Sequence, residues 1–388
     1  MRLPSRAALM AALMSASTAA WAGSIVEYDT KQGYSTNLFA DPLALKGAFW
    51  EGTLKLRGTL GNDDSKLSYA IYQKEGRTGR YRFGDTHETG FNLGYALRLR
   101  PDTAVELEAS YIRNASGDVF IQLQDTLIGY RSVDRAAQVG VKITTSAFGG
   151  KTAFSAKYGE LRHGDSEFTI NLLKPTKLDP DVGLLSLGVS QYLAAAGGEV
   201  CVCVEYNHSV INSDDQQAFT RIPASTLRGS LAYARKFDNG LTLIAEAGAI
   251  ILSSDKLPAP GRESWPYLRG ELQWQGTRGT ELSAAFKRDI SIGDIDDAMA
   301  EVVDSYKVAA GQQLTPWAKV VLSYERSNSD YVYYVYDRTT KTVSAKLVLG
   351  KSDTPKLELG YAYMKKTEAN PAANYSGHEI TARLSGSF

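Results

Sequence analysis

The sequence predicts an all-β protein: a transmembrane, antiparallel, up-and-down β-barrel of about eighteen strands. Three observations lead there. Apolar and polar residues alternate along most of the chain, connections between the alternating segments are short and long in turn, and no run after residue 22 approaches the ~18 apolar residues of a membrane-spanning helix. The elements follow in order.

The first residues have the three parts of a secretory signal. Arg2 and Arg6 supply positive charge, "AALMAALMSASTAA" is the apolar region, and Ala20-Trp21-Ala22 is an A-x-A cleavage site before Gly23. The expected organisation is therefore a cleaved signal peptide, 1–22, and a single barrel domain, 23–388. The absence of Cys just after the site argues against a lipoprotein.

Period two dominates the rest. "WEGTLKLRG" sets Trp50, Gly52, Leu54 and Leu56 against Glu51, Thr53, Lys55 and Arg57. "GFNLGYALRLR", "TAVELEASY", "YLRGELQWQ", "WAKVVLSYER", "TVSAKLVLG" and "KLELGYAYM" repeat the scheme. Strands are expected to begin near 24, 45, 66, 88, 104, 134, 151, 182, 199, 224, 240, 265, 279, 302, 317, 339, 356 and 376. Sixteen would result if the first hairpin, 24–56, lay outside the wall.

Tight turns follow the even strands: "GNDD", "RPDT", "FGGK", "AGGE", "FDNG", "QGTRG", "LTP" and "KSDTP". Gly, Asn, Asp and Pro supply the dihedrals that short hairpins require. Longer polar links occupy 77–87, 115–132, 162–181, 208–223, 253–264, 290–300, 326–338 and 367–375. Short turns at one end and long loops at the other are the asymmetry of a bacterial outer-membrane barrel, whose turns face the periplasm. An even strand count then puts both termini in the periplasm. Two apolar stretches within the links, "GDVFIQLQDTLIGY" and "SEFTINLL", read as strand extensions above the membrane.

In hydrocarbon every backbone polar group needs a partner, so only a closed sheet can span. The apolar face would meet lipid, with Tyr111, Tyr206, Tyr233, Trp274, Trp317 and Tyr324 as interfacial girdles. The other face would line a lumen. Its cations are Lys55, Arg57, Arg98, Arg100, Lys142, Lys157, Arg228, Arg269, Lys287, Lys319, Lys346 and Arg383. Its acids are Glu51, Glu106, Glu108, Glu205, Glu246, Glu271, Glu281, Glu325 and Glu358. Such a wall suits a conduit for anionic or polyhydroxylated solutes, or forms a ladder of ion pairs that selects nothing.

The remaining features are weaker. Tyr331, Tyr333, Tyr334 and Tyr336 in "SDYVYYVYD" suit sugar stacking at the mouth, or a tall hairpin tip. Cys201 and Cys203, at i and i+2 on a strand, would have Cα atoms ~6.5–7 Å apart and are expected to be free thiols in the lumen. "LDPD", "NSDDQQ" and "GDIDD" lack the spacing of a dedicated cation site, so no metal or other cofactor is expected. His87, His163, His208 and His378 fall near the loop end without a hydrolase or metalloprotease motif, so no catalytic residue is assigned and the chain reads as a non-enzyme. Charge is balanced, 43 cations against 43 acids, which excludes a nucleic-acid partner.

One resemblance adds to this reading. "EYDTKQGYSTNLFADP" (27–42), through Tyr34, Ser35, Thr36, Asn37, Leu38 and Phe39, resembles the opening of a family of outer-membrane barrels encoded beside exopolysaccharide genes. "YERSNSDYVYYVYDRTTKTVSAKLVLG" is similar in its strand, outer loop and returning strand. The ending "SGHEITARLSGSF" resembles the C-terminal signature read by the barrel assembly machinery, with Phe388 as assembly signal and Gly386 where a bulky apolar residue usually stands. The resemblance implies exopolysaccharide export. The alternatives are a porin for small solutes and a non-conducting adhesion or structural barrel. The expected partners are outer-membrane lipid, lipopolysaccharide, the assembly machinery and the transported polysaccharide or small solute.

Overall fold

The computed structural model describes residues 24–123, 126–293, 297–334, 336–351 and 355–388. The expected signal peptide, 1–22, lies outside them, as do 124–125 of "GDVFIQLQDTLIGY", 294–296 of "GDIDD", Val335 of the tyrosine stretch and 352–354 of "KSDTP". The first quarter of the wall is β1 (Ile25–Ser35), β2 (Gly47–Gly61), β3 (Ser65–Thr78), β4 (Thr86–Arg100) and β5 (Thr103–Leu123). Then come β6 (Thr126–Ala147) and β7 (Gly150–Arg162), two short loop strands β8 (Asp165–Phe168) and β9 (Thr176–Lys177), and β10 (Val182–Ala195). The second half comprises β11 (Gly198–Val210), β12 (Ser225–Lys236), β13 (Leu241–Ser253), β14 (Arg262–Gln275) and β15 (Thr280–Ser291). It ends with β16 (Glu301–Thr315), β17 (Ala318–Tyr331), β18 (Asp337–Leu349), β19 (Lys356–Glu368) and β20 (Tyr375–Ser387).

Without the two loop strands these form a closed antiparallel barrel of 18 strands. Closure is direct. β1 pairs with β2 on one side and with β20 on the other, from Glu27↔Ser387 to Ser35↔Glu379. Val26 and Phe388 exchange backbone hydrogen bonds of 2.9 and 3.0 Å at the rim. The first hairpin therefore belongs to the wall, and the sixteen-strand alternative falls. β7 pairs with β10 past the loop strands, so the insertion leaves the ladder unbroken.

Expected strand starts fall within three residues of the observed ones, except that β6 begins at Thr126 rather than 134. There β5 and β6 continue as a tall hairpin, the expected extension, carried by Ile121↔Ile128 and Gln122↔Leu127. The second expected extension is shorter: Phe168 on β8 pairs with Tyr130, while Leu172 lies in an exposed turn. The expected link 326–338 contracts to 332–336, because β17 and β18 keep pairing as far as Asp330↔Asp337. At the opposite end the connections are tight; Gly149 and Gly197, with φ of +74° and +71°, take a left-handed conformation that side chains resist.

Alternation puts the apolar residues outside. Ile71, Val139, Leu231, Leu322 and Ile380 are each more than half exposed on the outer face, a belt matched to hydrocarbon. Aromatic residues collar it. Phe91, Tyr111, Tyr206 and Tyr324 ring the loop end, and Tyr28, Tyr233, Trp274 and Trp317 ring the turn end.

Candidate functional site

The inner face carries rows of ionisable groups, and most of them are paired. Lys55 and Arg57 both reach Glu27, at 3.2 and 2.5 Å, and Lys142 and Lys157 reach Glu106 and Glu108 at 3.4 and 2.9 Å. Arg269 meets Glu271 at 2.7 Å, Lys287 meets Asp289 at 2.6 Å, Lys346 meets Glu358 at 3.0 Å, and Arg383 meets Asp29 at 2.6 Å. Several pairs skip strands: Lys157 on β7 reaches Glu108 on β5, Lys319 on β17 reaches Glu281 on β15 at 2.6 Å, and Arg228 on β12 reaches Asp289 on β15, past two strands, at 3.6 Å as well as Glu205 at 2.6 Å. Side chains can meet across an intervening strand only on the concave side. Arg98 sits at the turn-end rim beside Asp64, 3.4 Å away, and Arg100 makes no ion pair among the described residues. Most sequence-derived lumen candidates therefore sit in ion pairs, which favours the ladder reading for them individually.

One stretch of wall departs from neutrality. A recess of about 910 Å³ beside the β1–β20 seam is lined by Lys31, Lys55, Lys74, Lys356 and Arg383, against Glu27, Asp29 and Glu51. Lys31 leans to Glu379 at 2.8 Å and Lys74 to Glu51 at 3.9 Å, while Lys356 makes no ion pair among the described residues. Five cations against three acids leave the recess net positive. An anion entering it would meet donors whose present partners are half-exposed and exchangeable. Lys31, Lys74 and Lys356 escaped sequence reading, although their parity with Arg383 and Lys55 along the strands was the available signal.

The loop end is built differently. After β15, Ile292 and residues 297–300 turn inward and place Met299, Ala298 and Ala300 in an apolar cluster with Ile222, Ile250, Leu252, Tyr267 and Val302. Inside a polar lumen this is a local hydrophobic core. Asp297, 1% exposed, joins it to its neighbours: its carboxylate accepts N–H groups from Met299 and Ala300, and from Tyr333 and Tyr334 at 2.8 and 3.1 Å. Arg221, from the loop after β11, donates to the Asp297 carbonyl at 2.9 Å and to that of Gly293. Three loops are thus knitted at one point. The four tyrosines pack together here: the Tyr331 and Tyr336 rings are 4.4 Å apart and those of Tyr333 and Tyr334 5.3 Å, with Tyr331 buried and the others open. They stand at the tip of the extended β17–β18 hairpin, where they cap the inward-folded residues 297–300.

On the facing wall Phe39, Tyr81 and Phe83 form a second aromatic group, with Phe39 and Phe83 stacked at 5.4 Å. The Phe83 ring lies where a Cβ on Gly129 would stand, so that glycine admits the loop against the tall hairpin.

The expected free thiols are corrected. Cys201 and Cys203 form a disulfide, and their Cα atoms are 5.9 Å apart. The pleated strand is locally shorter than the extended spacing assumed, which brings the pair inside the disulfide range.

Two acidic loop groups are already engaged. Lys177 sits 3.0 Å from Asp181 and 2.8 Å from Asp215, and Asp215 also accepts the Asp181 N–H at 2.9 Å. Burial opposes charge on both partners, but the pair outweighs it: the Asp215 carboxyl is held below 3.8, with help from Asn212, and the Lys177 ammonium above 10.5. Asn212 caps the short helix α1 (Ser213–Ala218) that presents Asp215. The histidines are dispersed: His163 stands 3.5 Å from Asp134, His87 3.7 Å from Glu75, His208 2.8 Å from Ser225, and His378 2.8 Å from the Tyr361 hydroxyl.

No known family matches this sequence, and no curated protein does. Solved structures do match in shape. The copper transporter OprC aligns with a TM-score of 0.54 at 12% identity, over 94% of this chain and 80% of its own. The outer-membrane protein OpdK from Pseudomonas aeruginosa gives 0.50 at 9% identity over 94% and 99%, and OccK2 (OpdF) from the same organism 0.50 at 7% over 94% and 97%. At these identities the likeness is one of fold: this chain is built as outer-membrane barrels are.

Proposed function

We propose that the protein is an integral outer-membrane channel for small anionic or polyhydroxylated solutes. In this reading residues 1–22 direct secretion, Phe388 is read by the assembly machinery, both termini lie in the periplasm, and the long loops face outward. The observation that carries it is the net-positive recess at the seam, set in a wall whose other inward cations mostly sit in ion pairs. The loops folded into the mouth favour small solutes over a polymer. OpdK, whose fold this chain shares, has been crystallised with vanillate, a small organic anion.

Planar-bilayer recording tests this. The purified barrel should conduct and prefer anions in a salt gradient. The Lys31→Gln, Lys74→Gln, Lys356→Gln triple variant should lower the anion-to-cation permeability ratio about twofold. An unchanged ratio removes the recess from the proposal, and a parent barrel without conductance removes the channel.

A second reading, export of exopolysaccharide, is favoured by the resemblance of the 27–42 segment and by the exposed rings of Tyr333, Tyr334 and Tyr336 at the mouth, which suit sugar stacking. A deletion strain that secretes normal amounts of surface polysaccharide would count against it.

A further inference from the structure

The outer face carries charge of a different pattern from the lumen. Arg113, Arg135 and Arg162 are directly opposed on β5, β6 and β7, through Arg113↔Arg135 and Arg135↔Arg162. Their parity is that of Tyr111, Val139 and Tyr158, so they point away from the lumen. A second row repeats this on β17, β18 and β19, through Arg326↔Lys341 and Lys341↔Lys365, with the parity of Leu322, Val343 and Tyr361. Each row sits one side-chain pair beyond the aromatic collar at the loop end. Phe91↔Tyr111 lies below the first, with rings 5.9 Å apart, and Val343↔Tyr363 below the second. Two residues of strand put the cations about 7 Å above the collar, at the level of lipid head groups.

Like charges directly opposed across an antiparallel pair destabilise it, because the Cβ atoms are only ~4.5–5.5 Å apart. The lumen has such neighbours too, Arg269↔Lys287 and Lys31↔Arg383, but there each cation is held by an acid, whereas most cations of the outer rows are not. Glu160 takes both nitrogens of Arg162, at 2.8 and 3.1 Å, and Arg326 donates to Asn328 at 3.0 Å. Arg113, Arg135, Lys341 and Lys365 make no ion pair among the described residues. Of the nearby outward acids, Asp304 is held by Arg288 at 2.8 Å. Each row therefore keeps at least two uncompensated cations, spaced about 5 Å apart across neighbouring strands. A phosphate oxygen group between adjacent cations would convert repulsion into charge-assisted hydrogen bonds.

We propose that these two rows bind the phosphates of a phosphorylated glycolipid in the outer leaflet. The assignment of leaflet rests on the orientation proposed above, with long loops outward; the binding itself does not depend on the channel, since no lumen residue takes part.

Native mass spectrometry of the full, delipidated barrel in neutral detergent tests it. The probes are bis-phosphorylated lipid A, the same lipid after removal of its phosphates, and phosphatidylglycerol. The parent should retain lipid A at least about tenfold more strongly than the dephosphorylated form, with retention falling as salt rises. Arg113→Gln with Arg135→Gln, and Lys341→Gln with Lys365→Gln, should each weaken retention severalfold, and the four together should abolish the phosphate preference. The heat-dependent gel shift of a folded barrel checks each variant, and the two double variants stand as separate tests should the fourfold one not fold. Equal retention of the dephosphorylated lipid, or folded double variants that bind like the parent, would overturn the site. Phosphatidylglycerol held as tightly as lipid A would overturn the choice of a glycolipid and of the outer leaflet.

Discussion

Asp297 shows how one side chain can organise a mouth. Its carboxylate is buried and takes four backbone N–H groups, two from its own loop and two from the loop 332–336. Asp297→Ala would leave four donors without their acceptor, at a cost of about 3 kcal/mol. Limited proteolysis of the folded barrel should then cut 292–300 and 332–336 about tenfold faster, while the wall keeps its gel shift; unchanged cleavage would show that the apolar cluster alone holds the loops. Little of this was legible in the sequence. "GDIDD" reads as a solvated acidic group, because nothing local says that Asp297 is buried against chain 36 and 37 residues away. The disulfide was misread for a related reason: a spacing taken from an ideal strand exceeds the 5.9 Å that this pleat provides. The wall residues fared better, since parity alone puts Arg228, Lys319 and Arg383 on one face.

At the scale of elements, strands were legible and loops were not. Alternation and turn chemistry act over a few residues, so strand starts can be read locally. The destination of a loop depends on distant partners. Nothing in "KLDPDV" announces that Lys177 and Asp181 dock on Asp215 of α1, tying the insertion between β7 and β10 to the loop after β11. That clamp has a defined pH window. The lowered Asp215 carboxyl stabilises it fully above its ordinary value of 3.8, and the contribution is lost as pH falls through the lowered folded value. The raised Lys177 ammonium contributes fully below 10.5 and is lost as pH rises through its higher folded value. Amide exchange of 177–181 and 213–218, corrected for its intrinsic pH dependence, should therefore show constant protection across about pH 5–10 and a fall below about pH 4. Lys177→Met should remove the pH dependence; its persistence in that variant would assign the titration elsewhere.

The whole molecule is a ring of hydrogen-bonded ladders, and the last strand completes it. Ile380 and Leu384 lie on the outer belt, Arg383 turns inward to Asp29, and Phe388 stands exposed at the rim with its ring 6.1 Å from Tyr28. Removing Phe388 takes away the rim contact and the exchanged hydrogen bonds with Val26 but leaves the paired strand. The deletion should lower the fraction of folded, membrane-inserted barrel severalfold while secretion across the inner membrane stays unchanged; full assembly of the deleted chain would contradict this. The existence of a barrel, its strand count and its closing strand were all legible, because period two and the sorting of connections run through the entire chain. What the interior of the ring admits was not legible, because that depends on where loops settle inside it.

The seam between β1 and β20 has one more consequence. Val26 and Phe388 are hydrogen-bonded neighbours, so the first and last wall strands meet at the same rim as the tight turns. The wall has a circular order, and the break in it is equivalent to any other position on that rim. What distinguishes the seam is time: its ladder joins residues from opposite ends of the sequence, so the first strand must keep an unpaired edge until the final one arrives.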